Sequence, residues 1–131
     1  MAFLIDTHIW IWWVSRNPKL PAKIIAVLDH TPDRPWLSVA SLWELSNLVE
    51  TGEIELAPSP RAWLEAATHP LTVELAQLTR AVALELLELP ASLHRDPADR
   101  IIVATARALE VPLLTFDRRI RRSGLVELWT A

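Results

Sequence analysis

Aspartates follow two of the short apolar runs in this sequence, where each predicted buried strand ends. Asp6 closes the run Ala2–Ile5, and Asp117 comes just after the run Pro112–Thr115. In open α/β sheets, ligands bind outside the carboxyl ends of the strands, so both side chains are candidates for a binding or catalytic site. The plain alternative is that each aspartate caps the helix after it, since aspartate is a preferred N-cap residue.

Glu44 lies at the border of an apolar helix face. Projection of residues 40–50 at about 100° per residue puts four apolar residues on one arc, Leu42, Leu45, Leu48 and Val49. A carboxylate is rarely placed at the edge of a core without a partner. An arginine from elsewhere in the chain is the plain candidate for that partner.

Two more aspartates open the longest predicted helix. Asp96 is a natural N-cap, Pro97 suits the first helical position, and Asp99 at the third position completes a capping pattern. Local helix chemistry therefore accounts for both aspartates when they are considered alone.

The carboxylates are harder to explain as a group. Asp6, Asp99 and Asp117 are expected at one edge of the sheet, with Glu44 on a helix that also follows a strand. Gathering these acids costs desolvation and mutual repulsion, and a hard divalent cation would offset both. Oxygen ligands without sulfur favour Mg²⁺ or Mn²⁺ over zinc. Such an ion lowers the pKa of bound water and neutralises phosphoryl oxygens, which is phosphate chemistry.

The composition excludes several classes of protein. The chain has 131 residues, no cysteine and only two glycines, which rules out thiol chemistry and glycine-rich nucleotide loops. A net charge of −3 means that any nucleic-acid site has to be local. The longest apolar stretch, Ile9–Val14, is far shorter than the roughly 20 residues that span a bilayer. With no signal-peptide pattern at the start, we expect a cytoplasmic chain that does not enter the membrane.

Strands and helices alternate along the sequence with short connections. Strands are predicted at residues 2–5, 36–39, 71–75, 112–115 and 125–129. Helices are predicted at residues 8–14, 21–29, 40–50, 60–67, 79–89, 97–110 and 117–122. This order predicts a single α/β domain over residues 1–131, with a mostly parallel sheet of 4–5 strands between helices on both faces.

Rival phosphate enzymes with α/β folds fit poorly. A haloacid-dehalogenase-like phosphatase needs Asp-x-Asp after its first strand, whereas this chain has Asp6-Thr7-His8. That class and the receiver domains also need a lysine late in the chain, and the lysines here are Lys19 and Lys23. Both rivals are therefore excluded.

Four segments carry a resemblance to a known family. They are LIDTH at residues 4–8, SVASLWEL at 38–45, HRDPADRIIVATA at 94–106 and LLTFD at 113–117. In this order they closely resemble the motifs of PIN-domain proteins and, more narrowly, of the VapC toxins of type II toxin–antitoxin systems. The resemblance spans nearly the whole chain. It implies a PIN-like (flavodoxin-like) three-layer α/β domain and a Mg²⁺-dependent endoribonuclease.

The resemblance also assigns roles to individual positions. It places the family's acidic quartet at Asp6, Glu44, Asp99 and Asp117. Asp96 matches a frequent additional acid, and Thr115 matches a hydroxyl residue that supports the site. The implied reaction is hydrolysis of an RNA phosphodiester by water activated at one or two Mg²⁺ ions, for which Mn²⁺ substitutes. Asp6 and Asp99 are expected as the main ligands, and the other two acids complete the cage or orient water.

Arginines crowd around the two late acidic motifs. Arg95, Arg100, Arg118 and Arg119 are candidates for binding RNA phosphates, because the guanidinium group suits phosphate geometry. The plain alternative for each is a solvated helix face or local charge balance.

Three tryptophans fall in the first predicted helix. Trp10 and Trp13 share a side of that helix, whereas Trp12 points elsewhere, so core packing and a protein interface both remain open. The resemblance implies protein partners, namely a second copy in a homodimer and a VapB-like antitoxin that inserts a peptide into the active-site groove. The four histidines share no metal-like spacing.

Other functions remain open at this point. One is a housekeeping PIN nuclease of RNA processing, against which the absence of further RNA-binding domains argues mildly. Another is a catalytically idle PIN-like interaction module, against which the intact acidic quartet argues.

Overall fold

The computed structural model describes residues 2–93 and 95–130 of the chain. Over this part the elements run in the order β1 (Leu4–Ile5), α1 (Thr7–Val14), α2 (Ala22–His30), β2 (Trp36–Ser38), α3 (Val39–Glu50), α4 (Pro60–Ala67), β3 (Glu74–Ala76), α5 (Arg80–Glu88), α6 (Pro97–Leu109), β4 (Leu113–Leu114) and α7 (Arg118–Ser123). Each predicted helix is present within two residues of its expected ends.

The strands form a parallel sheet in the order β3-β2-β1-β4. Leu4 of β1 pairs with Trp36 of β2 on one side and with Leu113 of β4 on the other. The strand order reverses beside β1, because the chain moves outward to β2 and β3 and then returns to β4 on the opposite side. Such a reversal leaves a crevice at the carboxyl ends of the central strands.

Hydrophobic clusters cover both faces of the sheet, as expected for three layers. Successive side chains of a strand point to opposite faces. Ile5 accordingly packs in a cluster with α1 and α2, whereas Leu4 packs in another cluster with α5 and α6. The predicted α/β fold with helices on both faces is therefore confirmed.

Capping side chains define where most of the helices begin. Ser38, Ser59 and Thr79 accept hydrogen bonds from backbone N–H groups in the first turns of α3, α4 and α5. The aspartates predicted as caps do the same for α1, α6 and α7. The capping interpretation of Asp6, Asp96 and Asp117 is thus correct, and it does not exclude a second role for their remaining oxygen atoms.

Two predicted strands differ from the structure. Residues 71–73 belong to a turn in which the backbone N–H groups of Thr72 and Val73 donate to the carbonyl of His69, so β3 begins only at Glu74. The expected last strand at residues 125–129 is reduced to an isolated parallel bridge between Leu128 and Leu113. The sheet therefore ends at β4 with a weakly paired edge. In the described part of the chain, no helix is both long and apolar enough to cross a membrane.

Candidate active site

A cavity of about 380 Å³ opens at the carboxyl edge of the sheet, where the strand order reverses. Its walls include five carboxylates, which we call the carboxylate cluster: Asp6, Glu44, Asp96, Asp99 and Asp117. We call the space itself the acidic cavity. Every acid singled out from the sequence therefore lies in one place, although the chain separates the first from the last by more than a hundred residues.

Asp6 is anchored at the end of the central strand β1. One carboxylate oxygen accepts a hydrogen bond of 2.8 Å from the backbone N–H of Thr7, and the other accepts one of 2.6 Å from the Thr115 hydroxyl. Burial raises the pKa of Asp6, and the hydrogen bonds from Thr115 and Thr7 oppose that rise. Asp6 is the most deeply buried acid of the described cluster, at 7% exposure.

Thr115 connects the ends of the neighbouring strands β1 and β4. Its hydroxyl donates to Asp6 and accepts a 3.0 Å hydrogen bond from the backbone N–H of Asp117. The carboxylate of Asp117 in turn accepts from the N–H of Ile120 and so caps α7. Thr115 thus holds two acids in place at once, and its supporting role in catalysis stays a prediction.

Glu44 projects from α3 into the same cavity. Burial raises its pKa, a hydrogen bond with Thr7 opposes the rise, and the charges of Asp6 and Asp96 add to it. Its Oε1 atom is buried and has no hydrogen-bond partner among the described residues. The arginine partner that the sequence left open is therefore not found in this part of the chain, and the orphaned oxygen faces a cluster of further acids.

Asp96 and Asp99 enter the cavity from the start of α6. Asp96 accepts a 3.2 Å hydrogen bond from the backbone N–H of Asp99, which fixes the first turn. Burial raises the pKa of Asp99 to about 8, and the charges of the four other carboxylates of the cluster reinforce that rise. The pKa of an exposed aspartate is 3.8, so burial first, and then the neighbouring negative charges, disfavour the ionised form of Asp99.

The donor set fits a hard divalent cation. Glu44, Asp96 and Asp99 each offer one oxygen atom, and these three atoms lie within 4.8 Å of one another. A positive ion there would supply a partner for the buried carboxylate of Glu44 and would offset the burial and the repulsion that raise the pKa of Asp99. Oxygen-only ligands suit Mg²⁺, Mn²⁺ or Ca²⁺. Each oxygen of Asp6 accepts one hydrogen bond within the chain and keeps a further lone pair, so its expected role as a ligand stays a prediction.

The candidate arginines differ from the candidate acids in their relation to the cavity. None of Arg95, Arg100, Arg118 and Arg119 is among the described residues that form its walls. Arg100 donates to the carbonyl oxygens of Leu89, Pro90 and Leu93, which holds together the connection between α5 and α6. Arg95, Arg118 and Arg119 are exposed, so their RNA-binding role stays a prediction. His94, in the same motif, lies outside the described residues.

Aromatic residues that were not predicted as site residues also line the acidic cavity. They are His8, Trp12 and Phe116. His8 and Trp12 are four residues apart on α1, so they share the face of the helix that begins at Asp6. That spacing was a usable signal for both residues. Phe116 was findable as well, since it stands between Thr115 and Asp117.

The other two tryptophans of α1 belong to the core. Trp10 is fully buried and donates to the carbonyl of Ala67, and Trp13 is 8% exposed and donates to Asp29. An interface role for these two is therefore not supported, and the tryptophan that points elsewhere, Trp12, faces the acidic cavity.

Comparison with known proteins agrees with this geometry. The sequence profile of the PIN domain matches residues 3–124. Ribonuclease VapC22 of Mycobacterium tuberculosis (strain ATCC 25618 / H37Rv) is 36% identical over 119 residues, which cover 90% of this chain and 88% of that protein.

Solved structures show the same fold. A chain in the crystal structure of VapBC2 from Rickettsia felis bound to a DNA fragment from their promoter superposes with a TM-score of 0.73 at 16% identity, covering 98% of both chains. A chain of DNA-bound VapBC from Salmonella typhimurium gives a TM-score of 0.72 at 21% identity, covering 98% of this chain and 97% of that one. Sequence profile, relative and fold thus agree over nearly the full length, and this chain belongs to the PIN-domain family.

Proposed function

We propose that this chain is a Mg²⁺-dependent endoribonuclease and the toxin of a VapBC-type toxin–antitoxin pair. The observation that carries the proposal is the carboxylate cluster, in which oxygens of Glu44, Asp96 and Asp99 converge within 4.8 Å while one buried oxygen of Glu44 lacks a partner among the described residues. The relative of 36% identity is named a ribonuclease, which supports RNA as the substrate. The expected place of action is the cytoplasm.

The residues have distinct parts in holding the ion. Glu44, Asp96 and Asp99 would bind Mg²⁺ directly, because their oxygens already converge. Asp6 and Asp117 complete the negative wall of the cavity. A bound Mg²⁺ supplies charge neutralisation of the phosphoryl oxygens and a lowered pKa of bound water. Mn²⁺ shares the preference for oxygen ligands and is expected to substitute.

The protein's own groups position the reacting parts. In phosphodiester hydrolysis, the oxygen of a water molecule bonds to phosphorus, the bond from phosphorus to the leaving sugar oxygen breaks, and that oxygen leaves with a proton. The hydrogen bonds of Thr115 and Thr7 hold the carboxylate of Asp6 in one orientation at the centre of the edge. Asp117 is held likewise through its N–H and its capping bond, so the wall that faces the water is preorganised.

Cleavage of RNA by the purified protein tests the enzymatic part. We expect activity with Mg²⁺ or Mn²⁺, its loss with EDTA, and a loss of at least a hundredfold in Asp99→Asn, since a liganding carboxylate would be removed. Glu65→Gln is a matched control, because Glu65 is an exposed acid on α4 and is not among the described residues that line the cavity. Equal cleavage by Asp99→Asn and the wild-type chain, each purified in parallel, would show that the activity comes from elsewhere.

Growth experiments test the toxin part. The matched structures are named VapBC complexes, which supports a VapB-like antitoxin as the partner. We expect expression of the chain alone to arrest growth, Asp6→Ala to relieve the arrest, and co-expression of an antitoxin encoded directly upstream to do the same. Growth arrest by Asp6→Ala would point instead to an interaction module without catalysis. A chain that cleaves RNA without arresting growth would favour a housekeeping nuclease.

The proposed homodimer has support on the surface of α5. Leu84 is 54% exposed and Leu87 is 83% exposed, and the two lie one turn apart on this helix. Exposed apolar patches on small domains often mark protein interfaces. If this face joins two copies, Leu87→Glu will shift the mass measured by light scattering from two chains to one. An unchanged mass would remove this face from the dimer.

A further inference from the structure

Aromatic side chains stand directly beside the carboxylate cluster. His8, Trp12 and Phe116 line the acidic cavity together with the acids. The ring centroids of His8 and Trp12 are 5.7 Å apart, and those of Trp12 and Phe116 are 6.3 Å apart. The three rings therefore form a continuous aromatic wall, defined by these residues, along one side of the cavity.

Packing within the chain does not account for Phe116. It is 41% exposed, whereas the other phenylalanine of the chain, Phe3, is 2% exposed and sits in the core. Its neighbours on both sides, Thr115 and Asp117, are bound into the site by hydrogen bonds. The backbone therefore holds the Phe116 ring at the mouth of the cavity, where a large apolar surface meets water unless a ligand covers it.

Trp12 is packed on one side and open on the other. It contacts the hydrophobic cluster between α1 and the sheet, and it also lines the acidic cavity. The Nζ atom of Lys19 lies 6.0 Å from the centroid of its ring. The ring of Trp12 thus has a cation near it and also forms part of the wall of the acidic cavity.

A nucleotide has the chemistry that this combination fits. Its base offers a π face that stacks on aromatic side chains, and its phosphates pair with cations or with a bound metal ion. In a duplex, the bases stack on each other and their faces are unavailable, so a stacking wall selects unpaired RNA. The mixture of rings, a lysine and a site for phosphate chemistry favours a nucleotide over an apolar protein segment as the occupant.

We propose that Trp12 and Phe116 stack an unpaired base of the RNA next to the scissile phosphate. This inference rests on the proposed function and specifies its substrate. It assigns substrate binding to two residues outside the carboxylate cluster.

A second cavity beside the acidic cavity offers a path for the rest of the RNA strand. This space of about 490 Å³ shares His8 and Trp12 with the acidic cavity and extends past Asn17 and Lys19. Glu53 and Glu55 also line this space and would repel phosphates that come near them. The RNA backbone is therefore expected to follow the wall that carries Lys19 and Asn17.

Binding of a fluorescently labelled single-stranded RNA, measured with Ca²⁺ in place of Mg²⁺ to keep the oligonucleotide intact, tests the proposal. We expect Phe116→Leu and Trp12→Leu to weaken binding by about 5- to 100-fold, the range typical of one lost base–aromatic stack. Phe116→Trp keeps an aromatic face at this position and should bind the RNA like the wild-type chain. Circular dichroism checks folding, and Phe116 variants stay informative if Trp12→Leu unfolds, because Phe116 is exposed.

Trp43→Leu serves as the matched control. Trp43 is 52% exposed on α3 but is not among the described residues of the acidic cavity, so its loss should leave RNA binding unchanged. In Mg²⁺, the Phe116→Leu enzyme should show a raised KM with little change in kcat. The same sequence as a duplex should bind weakly and equally to the wild-type chain and the variant.

The outcomes separate this inference from the proposed function. Cleavage by the wild-type chain with an unchanged KM and binding constant in Phe116→Leu would overturn the stacking role and leave the nuclease standing. Loss of antitoxin binding with unchanged RNA binding would make the aromatic wall a protein-docking surface instead. A wild-type chain that cuts no RNA contradicts the proposed function, while the Ca²⁺ binding comparison still decides whether the wall recognises unpaired bases.

Discussion

The Thr115 hydroxyl donates a 2.6 Å hydrogen bond to the carboxylate of Asp6, across the carboxyl ends of the neighbouring strands β4 and β1. Both residues are buried, and their positions in the chain differ by 109. The bond therefore ties the last strand of the fold to the first one directly beneath the acidic cavity. It opposes the rise that burial causes in the pKa of Asp6.

Removal of this hydroxyl is expected to disturb both stability and the site. Thr115→Val keeps the shape of the side chain but leaves one buried oxygen of Asp6 without its donor, which costs about 1–3 kcal/mol. The pKa of Asp6 should rise further, because a hydrogen bond that favours the charged form is lost. Urea unfolding measures the stability, and RNA cleavage is expected to fall with it.

Thr115→Ser is the control for that prediction, since serine keeps the hydroxyl. It should retain most of the cleavage activity even if the lost methyl group lowers the stability. Equal stability of Thr115→Val and the wild-type chain would mean that the bond contributes nothing net to the fold.

Glu44→Gln removes the negative charge of this side chain at the proposed ion site and keeps nearly the same shape. Without metal, the amide removes a half-buried charge and its repulsion by Asp6 and Asp96, so the unfolding temperature in EDTA is expected to stay equal or to rise. With Mg²⁺, the wild-type chain should gain stability, by about 2.7 kcal/mol at a concentration one hundred times the Kd. The variant should gain much less, because a ligand is missing. An equal gain in both chains would remove Glu44 from the ligand set.

The raised pKa of Asp99 predicts how the stability of the metal-free protein depends on pH. Its pKa is raised from 3.8 to about 8, so between these values the folded state holds a proton that the unfolded state has lost. Stability therefore falls as the pH rises from about 4 to about 8. Asp99→Asn removes this dependence and is expected to stabilise the metal-free chain at pH 8 by roughly 0.5–2 kcal/mol, as relief of active-site strain commonly does.

Urea unfolding in EDTA at pH 5 and pH 8 measures the Asp99 effect. Glu65→Gln again gives the control, because this exposed acid on α4 lies 3.5 Å from Arg61 in a surface ion pair. A pH dependence that is identical in Asp99→Asn and the wild-type chain would contradict the assignment.

The sequence located the acids because simple rules govern where parallel strands end. Apolar runs such as Leu113–Leu114 predict buried strands, and a polar residue after each run must emerge at the carboxyl edge of the sheet. The sequence alone is therefore enough to place Asp6 and Asp117 together. The helix starts were equally readable, since Asp96 and Pro97 are strong N-terminal signals.

Other features of the site and the fold depend on contacts between distant segments, so they could not be predicted from the sequence. The orphaned oxygen of Glu44 depends on what α6 brings opposite α3, and sequence spacing does not report that. The Arg100 guanidinium meets carbonyl groups of the preceding connection rather than solvent. At residues 125–129, a strand-like composition yields an isolated bridge, because pairing is decided by the neighbour across the sheet edge and not by propensity alone.

Charge reversal separates the arginines that are expected to bind RNA from one that supports the fold. Arg118 and Arg119 are exposed at the start of α7, so Arg118→Glu with Arg119→Glu should raise the KM for RNA by about tenfold and flatten its dependence on salt, as loss of phosphate contacts does. Stability should change by less than about 0.5 kcal/mol.

Arg100→Met should instead lower the stability and leave RNA binding intact. It removes hydrogen bonds to three carbonyl groups and is expected to cost about 1–3 kcal/mol of stability while leaving the salt dependence of KM unchanged. If the double reversal leaves KM unaltered, Arg118 and Arg119 are solvated charges and the RNA follows another wall.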